Sequence, residues 1–192
     1  MAESIVAEDW YGEEIVDRTF VDCSFHDVDL TEATTLRTVF QECTFGNVKF
    51  NASRHTDSAF LRCAFARTNF FEAAFTGCKM TGSTFTDCDL RPLAVTGGDW
   101  SFVGLAGADL RGVTFRGVRM REVDLTGANC EGATLAELDL SGAQLARVRL
   151  TGCDLRGSDL SALDPTDAVV AGAIVTAEQT IVIAQALGFE VR

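Results

Sequence analysis

No apolar run in this chain approaches the ~20 residues that a membrane span requires. It opens Met1-Ala2-Glu3-Ser4, acidic where a secretory leader is basic. The expectation is a cytoplasmic protein that does not enter the membrane. Positive charge is scarce as well: 16 Lys and Arg stand against 28 Asp and Glu, for a net −12. That balance excludes direct nucleic-acid binding through phosphate neutralisation. Proline and tyrosine are nearly missing, at two and one, whereas there are fourteen phenylalanines, a skew that signals internal repetition. At 47% hydrophobic residues the chain is not disordered, and 192 residues suit one domain or two.

The repeat has a period of five. From Ile15 every fifth residue is large and apolar, through Phe20, Phe25 and Leu30 to Leu155 and Leu160, and 22 of these 30 centres are Leu or Phe. Thr35, His55 and Cys130 are the departures. The position two before each centre is Ala, Val, Cys, Ser or Thr in 25 of the 30. Asp or Asn often precedes the centre, and Gly follows it by two at eleven sites.

A period of five matches neither the helical 3.6 nor the strand period of 2. It suits a chain that turns a corner every five residues, with the centre and the small residue inside. Four sides then close a square coil of 20 residues, and coils stack at the strand spacing of about 4.8 Å. Gly fits corners that need unusual backbone angles, and Asp or Asn can bond local backbone. Right-handed winding follows the bias of parallel crossovers. Stacking residues 20 apart predicts an aromatic first half, along Phe25, Phe45, Phe65 and Phe85, and an aliphatic second half, along Leu105, Leu125 and Leu145.

Units such as Ala108-Asp109-Leu110-Arg111-Gly112, Ala128-Asn129-Cys130-Glu131-Gly132 and Ser158-Asp159-Leu160 resemble the pentapeptide-repeat family. The resemblance implies an all-β solenoid, a right-handed quadrilateral β-helix, over residues 15–163. Residues 1–14 are expected to form an acidic tail or cap, and 164–192 a C-terminal helical cap and dimerisation segment. Arg91-Pro92-Leu93 predicts a local irregularity, since Pro cannot donate to a ladder and Leu93 takes a small-residue position. Past Asp164-Pro165 the frame dissolves. Thr176 and Gln179 have capping-box spacing, predicting a helix over 177–187 ended by Gly188. Its Ile181, Val182, Ile183, Ala184 and Leu187 are apolar on more than one face, beyond what a cap needs, and predict a homodimer interface.

No catalytic constellation, metal-ligand spacing or cofactor motif stands out. Cys23, Cys43, Cys63, Cys78, Cys88 and Cys153 occupy the small inward position and Cys130 a centre, so they read as core residues rather than ligands. His55 reads as a core histidine with satisfied nitrogens; a weaker enzyme reading would need a pocket beside it. Asn51-Ala52-Ser53 is a glycosylation sequon without a secretory leader.

Function comes from the resemblance. The uninterrupted frame, the Arg-Pro-Leu break and the C-terminal segment are similar to the fluoroquinolone-resistance branch of the family. Members of that branch are dimeric, DNA-mimicking rods that bind and inhibit DNA gyrase at a DNA-segment site. An unbroken frame favours a plain inhibitor over a loop-dependent protector. The charge supports mimicry only in part: residues 1–32 carry −9, 33–160 carry zero and 161–192 carry −3. Residues 123–167 hold eight acids and three bases. The expected gyrase-binding acids are Asp99, Asp109, Asp124, Glu131, Glu137, Asp139, Asp154 and Asp159. The alternative is a general protein-interaction scaffold with no topoisomerase target, because the fold does not fix the function.

Overall fold

The computed structural model describes residues 4–192. The chain winds as a parallel β-solenoid in which each residue sits on its neighbour 20 positions along: Ile5 on Phe25, Ile15 on Thr35, Phe20 on Phe40. One face stacks Ser4–Val6 (β1) under Ser24–His26 and three further strands. A second runs from Glu14–Val16 (β2) through seven strands to Thr134–Ala136, and a third starts at Thr19–Val21 (β3). Single bridges carry the fourth, from Asp9 and Asp29 to Lys49, Asn69 and Asp89. The first strands are three residues long because only the central residue points inward before the chain turns again.

Stacking decides the core. Phe25, Phe45, Phe65 and Phe85 stack with nearly parallel rings, centroids 4.8, 4.8 and 4.9 Å apart. Phe20, Phe40 and Phe60 repeat the arrangement at 4.9 and 4.7 Å. Leu105, Leu125 and Leu145 continue the first column as an aliphatic core. The small inward position does more than fill space. Its hydroxyls and thiols donate to the carbonyl 23 residues back, as Thr38 does to Ile15, Ser83 to Phe60 and Cys78 to His55. Ser, Thr and Cys there direct their polar hydrogens to the carbonyls of centre residues one coil below.

The corner residue, two after the centre, has positive φ from Ala7 to Gly157 at every repeat except Pro92. Glycine carries it without steric cost; Asp17, Glu32, Arg37 and Phe102 adopt it with a Cβ, at about 1 kcal/mol each. Trp100 has a different need for glycine. A Cβ on Gly98, at the small position beneath it, would stand 2.0 Å from the Cys78 carbonyl oxygen.

The irregularity expected at Arg91-Pro92 is local. Pro92 follows a cis peptide bond, its carbonyl accepts from Glu72 N–H, and Leu93 pairs with Ala73 in the same 20-residue register. Bridges join Asn69 to Asp89 and Asp109 to Asn129, but none joins Asp89 to Asp109 among the described residues. A cleft of about 310 Å³ opens there beside Phe85, Cys88, Leu90 and Asp109.

Both ends of the solenoid extend past the limits read from the sequence. Residues 4–14 are no tail but the first coil: Ile5 is buried, and Trp10 closes the end, its ring 6.0 Å from Phe20 and 5.8 Å from Phe25. Met1 to Glu3 lie outside the described residues. At the other end the frame does not dissolve for good at Asp164-Pro165. Ala168, Val170, Gly172, Ala173 and Val175 resume it, with bridges from Arg149 to Val169 and Asp154 to Ile174.

The helix is Gln179–Ala186 (α1), shorter at its start than expected. Thr176 N–H donates to Gln179 Oε1 at 2.8 Å and Gln179 N–H to Thr176 Oγ1 at 3.4 Å, the reciprocal capping bonds. Gly188 ends it at φ 86°. The Gln179 amide also donates to the carbonyls of Leu155 and Ser158, at 2.8 and 2.7 Å, sealing the last coil.

Gly98→Ala is expected to lower unfolding stability by about 3 kcal/mol or more, because backbone and not a flexible side chain blocks the new methyl. Gly107→Ala, with open space at its corner, should cost about 1 kcal/mol. Urea denaturation of the two variants checks the contrast.

Candidate functional site

The outer surface is the candidate site, and its acids answer first to the fold. A carboxylate or amide oxygen before the centre accepts the N–H two residues on: Asp99 from Ser101, Asp109 from Arg111, Asp124 from Thr126, Asn129 from Glu131, Asp139 from Ser141, Asp154 from Arg156 and Asp159 from Ser161. Short polar side chains recur there because they close the turn.

Most of the expected gyrase-facing acids are also ion-paired. Asp99 meets Arg119 at 3.2 Å, Asp139 meets Arg121 at 2.6 Å and Asp154 meets Arg156 at 2.8 Å. Asp109 lies between Arg111 at 2.6 Å and Arg91 at 3.0 Å. Glu137 and Glu131 sit 3.5 and 3.7 Å from Arg116 and Arg149. Asp124 and Asp159 are the two of the eight with no salt bridge among the described residues. The guanidinium and backbone N–H of Arg156 hold the Asp154 carboxyl down at about 2. For Asp99 burial pushes upward, but the Ser101 and Arg119 hydrogen bonds win and the net shift is down. Adjacent guanidinium groups offset the outward field of Asp99, Asp109, Asp139 and Asp154.

The pairing has a register. Arg37 lies on Asp17 at 2.7 Å, Lys49 on Asp29 at 2.9 Å, Arg62 on Glu42 and Arg119 on Asp99, each base 20 residues after its acid. Among the described residues no Lys or Arg pairs with Glu8, Glu13, Glu14, Asp22 or Glu32, so uncompensated negative charge gathers at the N-terminal coils.

His55 is fully enclosed. Its Nδ1 is 2.8 Å from Thr35 Oγ1 and its Nε2 2.9 Å from Ser53 Oγ, with its ring stacked on Phe75 at 4.5 Å. Ser53 donates to the Phe50 carbonyl at 2.7 Å, so its oxygen accepts from the imidazole N–H. Burial drives the His55 pKa down to about 3, and the ring lines none of the four clefts found at Phe85, Trp10, Leu155 and Arg54. The thiols of Cys78, Cys130 and Cys153 are pushed upward by burial, which suppresses thiolate. Among the described residues no three His, Cys, Asp or Glu side chains gather to hold a metal ion, and no helix is long and apolar enough to cross a membrane.

At the C-terminal end Ile181 and Leu187 are exposed, Val182 and Ala184 half-buried, and Ile183 turns onto the coil end beside Leu160 and Val175. Val169, Ile174, Phe189 and Val191 are exposed as well. Sequence reasoning missed Val169 and Ile174, whose in-frame neighbours Val170 and Val175 would have revealed them.

A family model described as a pentapeptide repeat region matches residues 68–145. Over 102 residues the chain is 38% identical to the pentapeptide repeat protein MfpA of Mycobacterium tuberculosis, covering 53% of this chain and 56% of that protein. Its namesake from Mycolicibacterium smegmatis is 39% identical over 64 residues, 32% of this chain and 34% of that one. The chain thus spans about half the length of the first relative, and less of the second. A solved structure of trypsin-treated QnrB1, a plasmid-mediated fluoroquinolone resistance protein, superposes with a TM-score of 0.88 at 20% identity, over 100% of this chain and 99% of that one. At that identity the likeness is one of fold.

The environment of His55 fixes a pH dependence. The native state holds the ring neutral, and the unfolded chain binds a proton near pH 6.5. The stabilisation is therefore complete above pH 6.5 and lost as pH falls from there toward 3. Between pH 6 and 4, wild-type stability should fall by about one extra factor of ten per pH unit relative to His55→Asn, read by denaturant titration at each pH. Equal slopes would contradict a neutral buried ring.

Proposed function

We propose, for a chain that is a pentapeptide-repeat protein resembling MfpA, that it binds DNA gyrase and inhibits it by occupying a DNA-segment site. Fewer gyrase–DNA cleavage complexes then form for fluoroquinolones to trap, which lowers susceptibility to these drugs. The observation that carries the reading is the 38% identity to MfpA on a rod of net charge −12. The role is non-enzymatic: the filled interior leaves only the outer surface to act. Of the acids expected at the interface, Asp124 and Asp159 present the least compensated charge, and the paired Asp99, Asp109, Glu131, Glu137, Asp139 and Asp154 contribute shape and hydrogen-bond acceptors. Steering by such a surface weakens as salt screens it.

The rod acts as a homodimer joined through its C-terminal ends. Exposed Ile181, Leu187, Val169 and Ile174 supply apolar area there, with Val182 and Ala184 at its margin and Ile183 holding the helix to its own coil. Pairing these ends brings the acids of residues 123–167 together around the dyad.

Gyrase supercoiling titrated with the protein at two salt concentrations tests the reading. Inhibition at low micromolar protein or better, weaker at the higher salt, is expected. Asp124→Asn with Asp159→Asn, which removes the least compensated of these charges, should weaken it. No inhibition at tens of micromolar would leave the scaffold reading. Leu187→Glu with Ile181→Glu should halve the mass seen by light scattering, and an unchanged mass would remove the C-terminal interface.

A further inference from the structure

The N-terminal end of the solenoid is built differently from the C-terminal end. At the C-terminus α1 and the Gln179 amide close the last coil. At the N-terminus β1, β2 and β3 are each the terminal strand of their sheet. Thr34 N–H donates to Glu13 O, Asp17 N–H to Leu36 O, Val39 N–H to Arg18 O and Asp22 N–H to Gln41 O, all toward the second coil. Alternate residues in a strand direct their N–H and C=O to opposite sides. Glu14, Val16, Thr19 and Val21 therefore direct theirs away from the molecule; the Val21 carbonyl accepts from the Cys23 thiol at 3.4 Å, and no hydrogen bond to the backbone groups of Glu14, Val16 and Thr19 on that side is seen among the described residues. Beside this edge lies a cleft of about 220 Å³ lined by Trp10, Glu13, Glu14, Ile15, Arg18 and Phe20.

The chemistry around the edge is one-sided. Residues 1–32 hold ten acids and one base. That base, Arg18, lies over the Phe20 ring with its guanidinium carbon 5.1 Å from the centroid. Val6, Tyr11, Val16 and Val21, one on each side of the coil, are 54, 56, 42 and 46% exposed. Free strand edge, outward valines and unpaired carboxylates together describe half of a β-ladder whose missing rung is basic.

We infer that the edge of β2 and β3 is a docking site for an extended basic segment of another protein, which adds as a further strand. The rule that pairs the coils also selects the occupant. Within the rod bases stand on acids one rung below, as Arg37 does on Asp17 and Lys49 on Asp29. A rung placed beneath Glu14 is held by Lys or Arg in the same way, and its apolar residues meet Val16. A second copy of this chain is a poor occupant: its own N-terminal coils bring like charge, and Gln179 occupies the carbonyls at its other end. The acids thus act against self-stacking of an open edge while favouring a basic strand. The inference is independent of gyrase binding, and its readout requires no gyrase.

The test is fluorescence anisotropy with a labelled ten-residue peptide alternating lysine and valine, blocked at both ends, titrated with the full chain. Saturable micromolar binding that weakens with salt is expected. N-methylation of alternate residues, which removes the N–H groups along one peptide edge, should weaken it about tenfold or more. Val16→Pro, which deletes an outward N–H, and Glu14→Lys should each do the same, while Glu122→Lys, distant in the rod, should not. Equal binding of the N-methylated peptide to the unaltered protein, or no binding by the parent peptide, would overturn the inference. So would indifference to Val16→Pro and Glu14→Lys in variants whose thermal melts match wild type.

Discussion

Everything in this molecule depends on one constraint: a residue must tolerate, and preferably be stabilised by, whatever stands 20 positions away. Parallel in-register stacking sets neighbouring side chains about 4.8 Å apart. At that spacing like rings stack face to face, as Phe45 does between Phe25 and Phe65. Polar groups inside must find one another across rungs, which is why His55 occurs with Thr35 below it and Ser53 beside it. An isolated substitution in such a column is felt by both neighbours, so stability is a sum over nearest-rung contacts.

The same constraint acts outside. A column of like carboxylates at rung spacing would repel, and the sequence interposes bases: Lys49 over Asp29, Arg62 over Glu42, Arg119 over Asp99. Exposed pairs of this kind add little stability singly, about 0–1 kcal/mol each. Their larger effect is on the field. Where bases interleave, the rod is nearly neutral over distances beyond the Debye length. Where they do not, at the first coils and around Asp159, Asp164 and Asp167, negative potential survives. Net charge alone therefore misstates what a partner meets.

Much of the fold was legible because a period of five leaves few solutions. The stacked aromatic half, the aliphatic half and the capping bonds of Thr176 and Gln179 stand where the sequence placed them. The two ends were misread for a physical reason. At Ile5, Trp10 and Gly12 acid density hid an intact frame, and at Val170 and Val175 a proline-induced gap was mistaken for its end. The surface was less legible. Asp99, Asp109 and Asp139 are visible as acids, but their pairing with Arg119, Arg111 and Arg121 depends on rotamers and on rows two to twenty residues apart. The open edge beside Val16 and Val21 could not be seen without knowing which strands are terminal.

The unbroken register across Pro92 makes the rod a ruler with discrete gradations. Gaining or losing 20 residues changes its length by one strand spacing and leaves every other face aligned. Gaining or losing five keeps all centres inside but turns the remainder of the rod by a quarter turn, moving its charged columns onto new sides. A change that is not a multiple of five drives centres outward and breaks the stack. Length and facial orientation can therefore vary in descendants of this chain only in steps, and the two quantities are inherited together.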